Sequence, residues 1–205
     1  MDINEKTEER LLSWKMNRKE FIRSISLLAI SSTVFHFDAC VTPSLNDEQL
    51  LTPLMSNEEA KIIIDVQNIL FPNGGNGPSA KDIHAFHYLL WFLQDERIDI
   101  RERNYHISGA HKINKRAKEE YNIPFTDLKD REKEELIRTI SKEPAIKFWL
   151  SKHLTLIFEA LLCDPIYGGN PDEIGWSWLR HNPGEPRPTK ELAYPNILDY
   201  IQEHN

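Results

Sequence analysis

His84 and His87 stand three residues apart in a stretch that reads as helix, with Asp82 two residues ahead of the first. Imidazoles at that spacing share one helix face, and with Glu58 or Glu59 from a neighbouring helix they could ligate a metal, as in carboxylate-bridged di-iron bundles. Those bundles use a Glu-x-x-His pair on each of two helices, whereas here Lys81 stands three residues before His84. Histidines beside aromatics on a half-buried helix also serve as hydrogen-bonded packing residues. That second reading is preferred, and no metal ligand is assigned.

Other reactive constellations are missing from the sequence. No Gly-x-Gly-x-x-Gly follows a strand-like run, and Gly74-Gly75-Asn76-Gly77 lacks the lysine and hydroxyl residue of a phosphate loop. There is no Gly-x-Ser-x-Gly elbow. The two cysteines, Cys40 and Cys163, provide neither a Cys-x-x-Cys-His haem attachment nor an iron–sulfur ligand set. A Cys40–Cys163 disulfide is open to an exported chain, while Cys163 at the end of an apolar helix reads as a small buried hydrophobe. The expectation is a chain with no catalytic, cofactor-binding or metal residues.

What the sequence does specify is a shaped turn bearing aromatics. Asp164-Pro165-Ile166-Tyr167-Gly168-Gly169-Asn170 follows the apolar run Leu154 to Cys163 and precedes Gly175-Trp176-Ser177-Trp178. Pro165 stops a helix and restricts the residue before it. Gly168-Gly169-Asn170 suits positive φ. Trp176 and Trp178 cannot both face one core from either a helix or a strand. Either one anchors the loop while the other meets a partner, or both pack under loops of this chain. Downstream, Asn182 to Pro188 holds three prolines in seven residues, which predicts an extended arm lying across a surface.

The elements that must position this turn read as helices. Ser56-x-x-Glu59 is a capping box opening a helix with Ile62, Ile63, Val66, Ile69 and Leu70, stopped at Phe71-Pro72. Ser79 is read as the N-cap of a second helix with Ile83, Phe86, Leu90 and Leu93. Arg97 to His111 shows no clear period and is expected to be a loop with a partial helix. Thr126 is expected to cap a third helix through Ile140. Pro144 fits the first turn of a fourth, ending at Cys163. Thr189 is expected to start a last short helix, interrupted at Pro195. With no alternating strand pairs, the fold class is all-α, an irregular helical bundle with an N-terminal export segment and an extended Pro-rich C-terminal arm.

Charge narrows the class of partner. The 205 residues carry a net charge of −7, yet residues 1–39 are balanced, with six acidic and six basic side chains. The acidity therefore sits in the body of the chain, which argues against a nucleic-acid surface. The run Lys112 to Lys118 reads as a solvated helix face.

Residues 1–40 read as an export region. Arg18, Lys19 and Phe21 precede Ile25 to Phe37, thirteen residues without formal charge. That layout is an export signal, too short for a membrane span of about 20 residues and diluted by Ser26, Ser31, Ser32 and Thr33. Arg18-Lys19-x-Phe21-Ile22 is similar to a twin-arginine signal with lysine in the second place. The competing reading is an amphipathic N-terminal helix packed on the domain. Met16 is a candidate start, Cys40 stands where a lipoprotein signal places its modified cysteine, and residues 41–56 read as a linker to a helical domain over 57–205. The preceding Phe37-Asp38-Ala39 is a poor lipoprotein match.

From Phe125 to Pro188 the chain resembles the gluconate 2-dehydrogenase subunit 3 family. Phe125-x-x-Leu128, Phe158, Asp164-Pro165-x-Tyr167-Gly168-Gly169-Asn170, Gly175-Trp176 and Pro183-Gly184 stand in the order that family shows. The resemblance implies the small subunit of a membrane-associated complex whose large subunit carries FAD and oxidises a sugar, sugar acid or polyol. It implies electron transfer onward to a cytochrome c subunit with haem c or another membrane acceptor. It also implies a small subunit without its own cofactor that supports folding of the large subunit and its twin-arginine export to the periplasm. Partner contact is then expected at Asp164, Pro165, Tyr167, Gly168, Gly169, Asn170, Gly175, Trp176 and Trp178. The alternative is a stand-alone exported binding protein, with or without a lipid anchor at Cys40.

Overall fold

The computed structural model describes residues 54–204. Arg18, Lys19, Phe21, Met16, Cys40 and nearly all of the expected linker lie outside the described residues. Within them the chain forms seven α-helices with short 3₁₀ turns and no strand, so the all-α expectation holds. The helices are α1 (Asn57–Leu70), α2 (Ala85–Gln94), α3 (Ile100–Tyr121), α4 (Asp130–Ile140), α5 (Pro144–Leu162), α6 (Ile174–Leu179) and α7 (Asn196–His204).

Helix α5 is the centre of the bundle. Ile146, Trp149, Leu150, His153, Leu156, Ile157, Phe158, Ala160 and Leu161 are all buried, and α1, α2, α3 and α6 pack against it. Pro144 occupies its first turn, where a missing N–H costs no hydrogen bond. Helix α1 begins as its sequence predicts: the Ser56 N–H donates to Glu59 Oε2 at 2.5 Å, and the Glu59 N–H donates to Ser56 Oγ at 3.3 Å.

Three expectations about helix boundaries need correction. Within the region from Arg97 to His111 only Arg97 to Asp99 lie outside a helix, and from Ile100 onward it is the first half of α3, a 22-residue helix capped by Asp99. Its inward stripe is His106, Gly109, Ala110, Ile113, Asn114 and Ala117, at helical spacing. Apart from Ile113 the stripe is built from small and polar residues, so hydropathy does not reveal it.

Ser79 caps only a single turn. Asp82 Oδ2 accepts from both the Ser79 N–H and its hydroxyl at 2.8 and 2.7 Å. His84 then takes a left-handed conformation (φ 54°), and α2 starts at Ala85. His84 and His87 therefore do not lie on one continuous helix face.

Thr126 lies inside a 3₁₀ turn, Phe125–Asp127. The buried Phe125 anchors that turn by donating its N–H to Asn114 Oδ1 at 3.0 Å. Leu128 is extended and also buried, so α4 cannot begin before Asp130, where Glu132 accepts the Lys129 N–H at 2.8 Å.

Candidate functional site

At the C-terminal end of α5 the chain turns sharply under the control of Asp164. Its Oδ1 accepts the Ile166 N–H at 3.0 Å, and Pro165–Tyr167 forms a 3₁₀ turn ending at Gly168 (φ 83°). Gly168 supplies the positive φ. Gly169 answers a different need, since a Cβ there would lie 2.7 Å from the Ala160 carbonyl oxygen. Its role is close approach to α5.

Asn170 is the joint of the site. It is wholly buried, in the left-handed region (φ 51°) that asparagine tolerates better than most residues. Its N–H donates to the Ile83 carbonyl at 3.0 Å. Its Nδ2 donates to the Cys163 carbonyl at 3.0 Å, and its Oδ1 accepts the Gly175 N–H at 2.7 Å. One residue thus pins the turn before α2, the end of α5 and the start of α6. Gly175 completes the joint, because a Cβ there would meet the Leu161 carbonyl oxygen at 2.2 Å.

Both tryptophans pack on this chain, in different directions. Trp176 is 3% exposed and donates its indole N–H to the Leu162 carbonyl at 2.8 Å. Trp178 is partly buried, lies edge-on to Phe71 at 6.4 Å and donates to the Asn76 carbonyl. They belong to the short helix α6 rather than to an irregular loop, and its geometry sends them apart. Leu162 and Ile174, on either side of Asn170 in sequence, remain 38% and 36% exposed.

The proline-rich arm returns to this joint. Arg187 Nε donates to Asp164 Oδ2 at 2.7 Å, and its Nη1 donates to Glu173 Oε1 at 3.0 Å. The guanidinium lies over the Trp176 ring, 4.5 Å from its centroid, within cation–π range. Farther on, the Tyr194 hydroxyl donates to Asp95 Oδ2 at 2.9 Å, under the guanidinium of Arg97. Arg187 escapes a sequence reading, because a lone arginine between prolines carries no sign of the carboxylate it will meet.

A second group of residues links the turn to α2. Tyr167 is 5.5 Å from Trp91, which stacks on Tyr88 at 5.1 Å. The Tyr88 hydroxyl donates to Glu159 Oε2 at 3.3 Å. Burial pushes the Glu159 carboxyl up to about 7, against the opposing hydrogen bond from Tyr88. Burial also pushes the Cys163 thiol up to about 12, so it is a protonated, unreactive group at neutral pH. Cys163 is a free thiol among the described residues, with Sγ 3.4 Å from the Ala160 carbonyl.

The candidate metal residues are not brought together. His84 and His87 rings lie 4.9 Å apart, but Glu58 accepts from Asn114 at 2.8 Å, and Glu59 pairs with His111 at 2.6 Å. Both carboxylates are committed to the α1–α3 contact. No three His, Cys, Asp or Glu side chains among the described residues form a metal-holding group. No described helix is long and apolar enough to cross a membrane. Lys112, Lys115, Arg116 and Lys118 lie on the exposed face of α3, as a solvated helix face should.

These features define a small all-α module whose most constrained part is a turn organised by Asp164, Gly169, Asn170 and Gly175. Residues 57–184 match the family model described as gluconate 2-dehydrogenase subunit 3, and the chain belongs to that family. No curated protein and no solved structure matches it.

Proposed function

We propose that this chain is the non-catalytic small subunit of an FAD-dependent dehydrogenase complex of the gluconate 2-dehydrogenase type. The family match across residues 57–184 carries the reading. It spans α1 to α6 and the whole Asn170 joint. In this reading FAD resides in the large subunit, which oxidises a sugar, sugar acid or polyol, and a cytochrome c subunit with haem c or another membrane acceptor takes the electrons. The small subunit supports folding of the flavin subunit and takes it through the twin-arginine route by Arg18, Lys19 and Phe21. The complex then works in the periplasm at the membrane.

The segment from Asp164 to Trp178 is the proposed contact with the large subunit. The residues that hold it are internal: Asn170, Gly169, Gly175 and Trp176 are buried. They fix the shape, and the surface offered outward comes from their neighbours, including Leu162 and Ile174.

The test is to express the tagged chain in its own host and purify it from membranes. The expected result is a co-purified protein with bound flavin that oxidises a sugar or sugar acid when given an artificial electron acceptor. A chain that purifies alone, or with a protein lacking flavin, would favour the stand-alone binding protein instead.

A further inference from the structure

His106 on α3 and His153 on α5 are 1% and 0% exposed. Their ring nitrogens meet across the two helices, Nδ1 of His106 to Nε2 of His153, at 3.4 Å. Such a bond needs one protonated and one bare nitrogen, so it is complete with both rings neutral. Nε2 of His106 faces Glu102 Oε1 at 3.6 Å, which assigns its proton there from the hydrogen-bond network. Nδ1 of His106 then accepts from the Nε2–H of His153. The remaining nitrogen of His153, Nδ1, is buried without a partner.

Among the described residues a single carboxylate, Glu102, faces the pair, and it lies on the His106 side. From α3 the pair is faced by Glu102 and Tyr105, and Tyr105 lies 5.9 Å from His106. From α5 it is faced by Trp149, whose ring is tilted against His153 at 4.0 Å, and by Lys152. The Lys152 ammonium binds Glu102 Oε1 at 2.9 Å and offsets part of the pull of this carboxylate toward a charged His106, while burial outweighs both. From α2 the neighbour is Phe92, edge-on to His106 at 5.9 Å and uncharged. A proton on the bare Nδ1 of His153 would place a charge without a partner between two central helices. Protons on both rings would set donor against donor and break the bond that joins them.

We propose that the His106–His153 pair is an acid-sensitive latch between α3 and α5, closed while both rings are neutral and released by proton uptake. Its contact is reinforced by the Trp149 indole, which donates to the His106 carbonyl at 2.9 Å. The direction follows from linkage. Burial holds the His106 imidazole down at about 4, and burial holds His153 well below its ordinary range. Unfolded imidazoles titrate near 6.5. As pH falls below that value the unfolded chain binds protons that the folded pair refuses, so the equilibrium moves toward unfolding. The contribution is complete above pH 6.5 and is lost as pH falls through the folded values. From His106 alone the unfolding constant should rise on the order of a hundredfold between pH 7 and pH 4.

Urea unfolding of the full chain at pH 7.5 and pH 4.5 tests this, with H106L/H153L as the comparison. The double variant removes both polar partners together and leaves no buried orphan. Glu159 titrates in both proteins and drops out of the difference. The wild-type unfolding constant should rise at least about tenfold more than that of the variant over this interval. Equal pH dependence would overturn the latch. Should the variant not fold, the wild type decides by NMR titration of its histidine rings. Neither buried ring should titrate between pH 8 and pH 5, and titration of both near 6.5 would overturn it.

Discussion

Gly175 donates its backbone N–H to the side-chain oxygen of Asn170 at 2.7 Å, and both residues are buried. The bond is short, and no solvent competes for either partner. Because the Asn170 side-chain amide also donates its Nδ2 to the Cys163 carbonyl at 3.0 Å, α6 is set against the end of α5 by one side chain. The aromatic segment that follows takes its direction from that joint.

Asn170→Ala should lower stability by about 2–4 kcal/mol, since it strands a buried N–H and a buried carbonyl and puts alanine in the left-handed region. Asn170→Gly relieves the backbone cost alone and should recover no more than about 1 kcal/mol of the loss. Asn170→Asp keeps the acceptor for Gly175 but turns a buried carboxylate oxygen toward the Cys163 carbonyl, so at neutral pH it should be at least as destabilised as alanine, and it should recover when the carboxyl is protonated and donates. Urea midpoints rank the series. Full recovery by glycine would mean that conformation, not the amide, holds the joint.

Gly109 on α3 is the place where Trp149 enters the α3–α5 contact. A Cβ there would lie 2.1 Å from the indole Nε1. Gly109→Ala should destabilise by about 1–3 kcal/mol through overpacking. Trp149→Phe shortens the intruding ring and should itself be destabilising, because the His106 carbonyl loses its donor. The two together should cost less than the sum of the single changes. Thermal melts of the four proteins give the coupling, and strict additivity would show that the backbone moves aside instead.

How far the sequence exposes this fold depends on the chemistry of each stripe. Helix α1 is legible because Ser56 and Glu59 cap it reciprocally and four of its six buried residues, Ile62, Ile63, Val66 and Leu70, are branched aliphatics. Helix α3 is hidden because its buried stripe is His106, Gly109, Ala110 and Asn114, which score as polar or neutral. The turn at Asp164 to Asn170 is visible as a turn from its proline and glycines. That Asn170 is the joint is not visible, since its three partners lie at Ile83, Cys163 and Gly175. Arg187 is hidden for the same reason: its carboxylate partner Asp164 lies 23 residues away.

The Glu159 carboxyl gives a pH dependence of the opposite sign to the histidines. Its folded value, about 7 against an ordinary 4.5, is raised by burial. The folded chain therefore holds a proton that the unfolded chain releases, so this contribution is fully present below pH 4.5 and lost as pH rises through 7. Glu159→Gln mimics the protonated form and still accepts from Tyr88. It should be more stable than wild type by about 2 kcal/mol at pH 8.5 and nearly equal to it at pH 4.5. Denaturation curves at the two pH values check this. A variant equally destabilised at both would show that the carboxylate is ionised and satisfied in the fold.

The proposed contact with the flavin subunit is best probed where structure and surface separate. Trp176→Ala removes a buried indole and should lose about 3–5 kcal/mol, so loss of the partner in that variant would report on folding. Trp178→Ala should cost less, since its ring is only partly buried against Phe71. Leu162→Ser and Ile174→Ser change exposed side chains and should stay within about 1 kcal/mol of wild type. If the Asp164–Trp178 segment is the interface, at least one of these serine variants should keep its melting temperature and recover far less flavin subunit in a pull-down. Truncating a central interface anchor commonly costs about 2 kcal/mol, roughly thirtyfold in affinity. Arg187→Gln adds a further arm, because it frees the proline-rich segment from Asp164 and Glu173 without emptying the core. Loss of the partner there as well would make the arm part of the contact. If Leu162→Ser, Ile174→Ser and Arg187→Gln all keep both stability and partner, the large subunit binds elsewhere on the helical body.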